Sequence, residues 1–360
     1  MSDHQHSSTP VVEGPGSTAA ARTAGIGTSA ARTARFVLGK ASGMVVVLLI
    51  VSALTYAVFV LLPADPAQLA CGRPCTPERL EAARGYMGLD EPPWKQYLLF
   101  LGGIFAGRTF GAGATAIECA TPCLGYSFRL NESVTDLIIS RLPVTVSIAV
   151  GAAVLWLLVG VVSGVVAAIK RGTAVDRLII LGAIAGVSAP SYLVGLLAIL
   201  LFGFTLDMVP VSGYVPFTES PLDWAWHLVL PWTVLALLSA AVYARLTRAQ
   251  MLDVMGQDFI RTARAKGLTE GRVITRHALR NVMIPVITLF GLDLGSLLGG
   301  AVITERVFSM PGLGSLLLDA VGNFDLPILV GVTLFSAAII IVANFVVDLV
   351  YGVLDPRARS

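Results

Sequence analysis

The sequence predicts an all-α membrane protein of six transmembrane helices with both termini in the cytoplasm, and three observations predict it. The first is composition: 55% of residues are hydrophobic and 13% charged, with a mean hydropathy of +0.79, whereas a soluble domain carries about 25% charged residues. The second is a set of apolar runs at 44–62, 143–169, 178–203, 228–244, 282–303 and 327–347, each near or above the roughly 20 residues that cross a hydrocarbon core as a helix. The third is where Lys and Arg fall. The net charge of +2 says little, because topology follows the distribution of basic residues rather than their sum.

That distribution alternates. Arg22, Arg32, Arg35 and Lys40 precede the first run, Lys170, Arg171 and Arg177 follow the second, and a dense group from Arg245 to Arg280 follows the fourth. Arg357 and Arg359 come after the last. The short intervening segments are acidic or nearly neutral, with Asp207, Glu219 and Asp223 in one and Glu305, Arg306, Asp319 and Asp325 in the other. The positive-inside rule therefore places the basic segments in the cytoplasm.

Residues 1–35 are rich in Ser, Thr, Ala and Gly without an apolar period, and are expected to form a disordered cytoplasmic tail. Residues 36–360 then form the transmembrane domain. The first apolar run is longer than a signal-peptide core and is expected to stay as an anchor. Residues 63–142 form a large extracytoplasmic segment, in which TPERLEAARGYMGLD reads as a short helix starting at Thr76 and Pro77. PPWKQYLLFLGGIFAG reads as an amphipathic helix at the interface, with Trp94 and Tyr97 at headgroup level.

Cys71, Cys75, Cys119 and Cys123 form two C-x3-C pairs in this segment. Thiols outside the membrane tend to oxidise, so two disulfides are expected, with three connectivities open. A zinc site would more often show C-x2-C spacing. Within the spans, GVVSG (160–164), GAIAG (182–186), GLDLG (291–295) and GSLLG (295–299) fit the small-residue pattern of closely packed helices. Pro190 should kink the third span, with Ser188 or Ser191 satisfying the carbonyls it frees.

DFIRTARAKGLTEGRVITRHALRNVMIP (258–285) carries more order than topology requires. It reads as two helical pieces broken by KGLTEG, with Gly267 ending the first and Thr269 capping the second. Ala263 and Ala265 are small enough for a partner to approach the backbone, with Arg261, Arg264 and Lys266 around them. A short helix held at both ends by spans suits docking on a cytoplasmic protein and passing rigid-body motion to the membrane.

The stretch resembles the coupling loop of inner-membrane permeases of ABC importers, in the dipeptide, oligopeptide and nickel branch. That loop reads Glu-Ala-Ala, three residues, then Gly. Here Arg261 and Thr262 stand in place of the Glu and first Ala, while Ala263, followed by Arg264, Ala265 and Lys266, leads to Gly267 and Leu268. LLPADPA (61–67), GYSFRLNESVTDLIISRLPVTVSIA (125–149), LLGGAVITERVFSMPGLGSLLLDAV (297–321) and VVDLVYGVLDPRAR (346–359) are similar to further signatures of the first permease subunit.

The resemblance implies the type I ABC importer permease fold, with residues 245–281 as the cytoplasmic coupling loop. It implies a homologous second permease, two ABC ATPase subunits, an extracytoplasmic substrate-binding protein and the lipid bilayer as partners, and no nucleic acid. The expected cargo is di- or oligopeptides, with nickel or another small solute as the alternative. No cofactor is expected on this chain. It has no G-x-x-x-x-G-K-[ST] phosphate loop, so ATP and Mg2+ belong to the ATPase partners.

Asp293 is the one acid well inside an expected span and a candidate for the translocation path, against pairing within the bundle. Glu305 and Arg306 read as a local ion pair or solvated loop. An ion-coupled carrier would usually show two related halves and midplane ion sites. An intramembrane protease would need a nucleophile with its base, or paired acids, at membrane depth, and neither pattern is present.

Overall fold

A computed structural model of the chain describes residues 39, 41–57, 67–68, 76–87, 89, 91–111 and 116–354. The expected tail, Cys71, Cys75 and the last six residues lie outside them. Residues Ile50–Ser360 group as one compact unit, separate from Met1–Leu49.

Helices dominate. In chain order they are α1 (Ala41–Ala57), α2 (Pro77–Met87), α3 (Pro93–Ala106), α4 (Val134–Ile169), α5 (Ala174–Ser188) and α6 (Ser191–Thr205). There follow α7 (Pro221–Met255), α8 (Asp258–Ala265), α9 (Glu270–Leu298), α10 (Val302–Val307), α11 (Leu313–Asn323) and α12 (Leu326–Leu354). Four of them, α4, α7, α9 and α12, are long and apolar enough to cross a membrane, and the bent pair α5–α6 would make five. Over its described residues α1 is shorter than a full span, and 58–66 lie outside the description.

Several expected boundaries move. The apolar run predicts a second span from Pro143, but α4 begins at Val134, where the Ser133 hydroxyl accepts from Asp136 N–H (3.0 Å) and donates to the Asp136 carboxylate (2.6 Å). At 36 residues the helix is about 54 Å long, well beyond a core of about 30 Å. Ser220 and Asp223 start α7 in the same way, with Pro221 in its first turn. The third span is not one continuous helix. Ala189 is extended before Pro190, and α5 and α6 meet at 103°, because a residue preceding proline avoids the helical region and proline offers no N–H. Ser188 donates to the Ile184 carbonyl (2.9 Å), a carbonyl within α5 and not one of those that Pro190 frees.

The all-α expectation also needs one correction. The segment before α4 contains two small antiparallel ladders, β1 (Arg108–Phe110) with β2 (Ile117–Cys119) and β3 (Tyr126–Ser127) with β4 (Glu132–Ser133). Strands of two or three residues are too short to show a period. Cys119 is bonded to Cys123, which excludes the two connectivities that would join one C-x3-C pair to the other. The rings of Phe110, Tyr126 and Phe128 cluster beside it. In α3, Trp94 is exposed, whereas the Tyr97 hydroxyl is bonded to Ser52 on α1 (2.7 Å) rather than standing free at a headgroup.

The tightest seam joins α4 to α7. A Cβ on Gly160 would lie 2.5 Å from the Tyr243 Cβ, and one on Gly164 would lie 2.6 Å from the Ala244 carbonyl oxygen, so only glycine allows this approach. Gly291 and Gly295 play the same part between α9 and α12, against Val347 and Ala343. Gly182 faces open space, and GAIAG is no packing motif at that position.

Candidate functional site

Between α7 and α9 the chain makes a single short helix, α8, whose two sides differ. Ile260 and Ala263 point inward and are buried in a core with Met251 and Val254 of α7, Val273, Ala278 and Val282 of α9, and Ala168 of α4. Phe259, Arg261, Thr262, Arg264, Ala265 and Lys266 are exposed. Helical phase explains the split, since positions three apart share a face. It also corrects an expectation: Ala263 belongs to the buried face, and Thr262 and Ala265 carry the open one.

Gly267 ends α8 as expected. At φ +77° its N–H donates to the Arg264 carbonyl (2.9 Å) and Leu268 N–H to the Ala263 carbonyl (3.4 Å), the paired bonds of a Schellman cap. Leu268 then packs on the same core. No atom lies within 4 Å of a Cβ built at Gly267, so the glycine is needed for its backbone conformation and not for space.

Arg264 reaches forward to Glu270 with two bonds (3.0 and 2.6 Å), and this carboxylate holds the guanidinium pKa above its ordinary value. The Arg261–Asp258 pair is longer, at 3.4 Å, and exposed. Thr269 occupies the cap position of α9 without a side-chain capping bond. The helix begins at Glu270 and continues through wider π turns over Val273–Ala278 into the apolar stretch Leu279–Leu298. Residues 245–281 are thus not mainly loop. The helices α7 and α9 extend into them from both sides, leaving α8 and its two short linkers.

Asp293 is half-buried on α9 and accepts a hydrogen bond at Oδ2 from the Tyr243 hydroxyl (2.8 Å). Tyr243 itself is buried beside Trp156. Glu305 departs from expectation. It is fully buried, its Oε1 accepts from the Thr145 hydroxyl and its Oε2 from Ser315 N–H, both at 2.8 Å. Arg306 pairs instead with Asp319 (3.0 Å), in the open. Two features lie outside the expected site residues: Phe259, a large apolar side chain 41% exposed on α8, and the Asp176–Arg248 ion pair. A Phe beside the basic residues was a visible signal; the ion pair, 72 residues apart in sequence, was not.

Comparison with known proteins agrees with this architecture. Residues 160–360 match the family described as "Binding-protein-dependent transport system inner membrane component". Residues 33–149 match the corresponding amino-terminal family, "Binding-prot-dependent transport system membrane comp, N-term". The chain belongs to the family of inner-membrane components of binding-protein-dependent transport systems. It is 41% identical over 323 residues to a putative peptide transport system permease protein of Brucella abortus strain 2308, covering 90% of this chain and 98% of the relative. It is 38% identical to a di/tripeptide transport system permease protein of Pseudomonas aeruginosa strain UCBPP-PA14, covering 86% and 94%. It is 37% identical to the dipeptide transport system permease protein of Escherichia coli strain K12, covering 90% and 98%. The chain is therefore a multi-pass permease component of the inner membrane, and ATP hydrolysis falls to partner ATPases.

Proposed function

We propose that the chain forms half of the translocation pathway of an ATP-driven importer of di- or oligopeptides. It pairs with a homologous second permease, docks two ABC ATPase subunits through α8 and receives cargo from a substrate-binding protein on the opposite side. In this reading six spans leave both termini and α8 in the cytoplasm. ATP and Mg2+ are bound by the ATPases. The relatives named for peptide and dipeptide transport support the cargo class.

The observation that carries the coupling role is the two-sidedness of α8. Its inner face is fixed to α4, α7 and α9, so a displacement imposed on the outer face of Phe259, Thr262 and Ala265 moves the spans as a body. Closure of the ATPases on ATP would then bias the permease between inward-open and outward-open states.

The test is ATPase activity of the chain purified with its co-isolating partners in lipid, with and without a binding protein loaded with a dipeptide, for wild type and Gly267→Pro. Proline cannot adopt φ +77°, so the cap fails. Peptide-stimulated hydrolysis lost in Gly267→Pro while the complex stays assembled supports the reading. A chain that purifies without an ATPase and moves solute down an ion gradient contradicts it.

We further propose that Asp293, which accepts from the Tyr243 hydroxyl, also faces the aqueous pathway, where it favours cationic or amine-bearing cargo. Asp293→Asn should weaken transport of lysine-containing dipeptides more than of dialanine. Equal transport of both by the variant and wild type would remove it from the pathway.

A further inference from the structure

The Asp176–Arg248 ion pair connects the coupling region to α5, the helix that follows α4. Asp176 lies in the first turn of α5, and its Oδ2 also accepts from Gly172 N–H (2.9 Å), which fixes the tight turn after α4. Arg248 projects from α7 roughly two turns before that helix ends and α8 begins. The guanidinium meets the carboxylate as a fork, Nε to Oδ1 at 2.7 Å and Nη2 to Oδ2 at 2.9 Å. The two side chains are only 25% and 7% exposed.

The rest of α5 packs along α7 with few fully buried side chains. Its buried residues are Asp176 and Ala183 alone. Leu178, Leu181, Ile184 and Val187 are all exposed, and Gly182 faces open space. Gly186 approaches Ala241 of α7 near the far end of α5. Among the described residues, the ion pair is the one hydrogen-bonded side-chain contact between α5 and α7. A forked pair resists rotation as well as separation, unlike a single point contact. On the other side of the same seam, Gly164 of α4 lies against the Ala244 carbonyl, Thr247 and the backbone of Arg248, so Arg248 stands on backbone that is itself closely packed.

We infer that the Asp176–Arg248 pair is the positioning contact that passes displacement of α8 and the end of α7 into α5, and through the bend at Pro190 into α6. The inference rests on the reading of α8 as the coupling helix. Without the fork, α5 follows ATP-driven movement of α7 less closely, so hydrolysis continues while transport per ATP falls. The role belongs to the pair and not to either residue alone.

The experiment measures radiolabelled dialanine moved per ATP hydrolysed, in the assembled transporter reconstituted in lipid. The variants are Asp176→Asn, Arg248→Lys, which keeps the charge but loses the fork, the double variant, and Gly267→Pro. Each single change at the pair is expected to lower the ratio about five-fold with hydrolysis retained, and the double variant to be no worse than the lower single, as coupled residues behave. A ratio unchanged in Arg248→Lys, or losses that multiply in the double variant, would overturn the inference. If Gly267→Pro keeps wild-type coupling, the α8 reading fails and this inference with it. If Gly267→Pro uncouples but the pair variants do not, only this inference fails.

Discussion

The two ends of the bundle each bury an acid at the start of a helix, and they treat it differently. At the α8 end, Asp176 faces a cation from another helix, at a partly open edge. At the disulfide end, Glu305 is sealed among neutral donors: the Thr145 hydroxyl of α4 and the N–H of Ser315 in the first turn of α11. Thr145 also accepts from Leu313 N–H (2.8 Å), so α4, α10 and α11 are closed into one block. Gly312 lies so close that a Cβ there would strike the Glu305 carboxylate. An ion pair at an edge can open and close as helices shift, whereas a carboxyl group buried among several donors cannot leave without orphaning them. The contrast is between a closed hydrogen-bonded block at one end and a partly open ion pair at the other.

Breaking the closed block should have the largest effect. Glu305→Ala leaves buried donors at Thr145 and Ser315 unsatisfied and opens a cavity, a cost of about 3 kcal/mol. The expected result is a large drop in the detergent-solubilised unfolding temperature, with Glu305→Gln, which keeps an acceptor, much milder. A Glu305→Ala protein as stable as wild type would remove the lock. Next comes the cap of α8. Gly267→Ala forces an L-residue into the left-handed region at about 1–2 kcal/mol, expected to reduce binding-protein-stimulated ATPase several-fold with little change in unfolding temperature, because α8 is one short element. The smallest effect belongs to Arg306→Ala. Its pair with Asp319 is 61% and 55% exposed, so the change should stay within about 1 kcal/mol, and a larger loss would show that the disulfide end has a second lock.

Structure is most legible in the sequence where the information is local. The α8 helix, its stop at Gly267 and the cores of the long helices follow from periodicity, glycine chemistry and apolar length. What is not legible depends on distant partners. Glu305 looked like half of a local pair because Arg306 is adjacent, and its true partner Thr145 is 160 residues away. Ala263 looked available for docking because small size says nothing of helical phase, which Ile260 and its buried neighbours set. Pro190 correctly marked a departure from straight helix, but a proline alone does not give the angle. That depends on whether the next helix resumes against the same neighbours.

The most direct measurement of the central claim is site-directed cross-linking from α8 to the co-purified ATPase, comparing Thr262→Cys on the exposed face with Ala263→Cys on the buried one. The account predicts an ATPase adduct from position 262, strengthened or weakened by ATP, and none from position 263. Adducts from neither position in an assembled, active complex would contradict the assignment of α8 as the docking element.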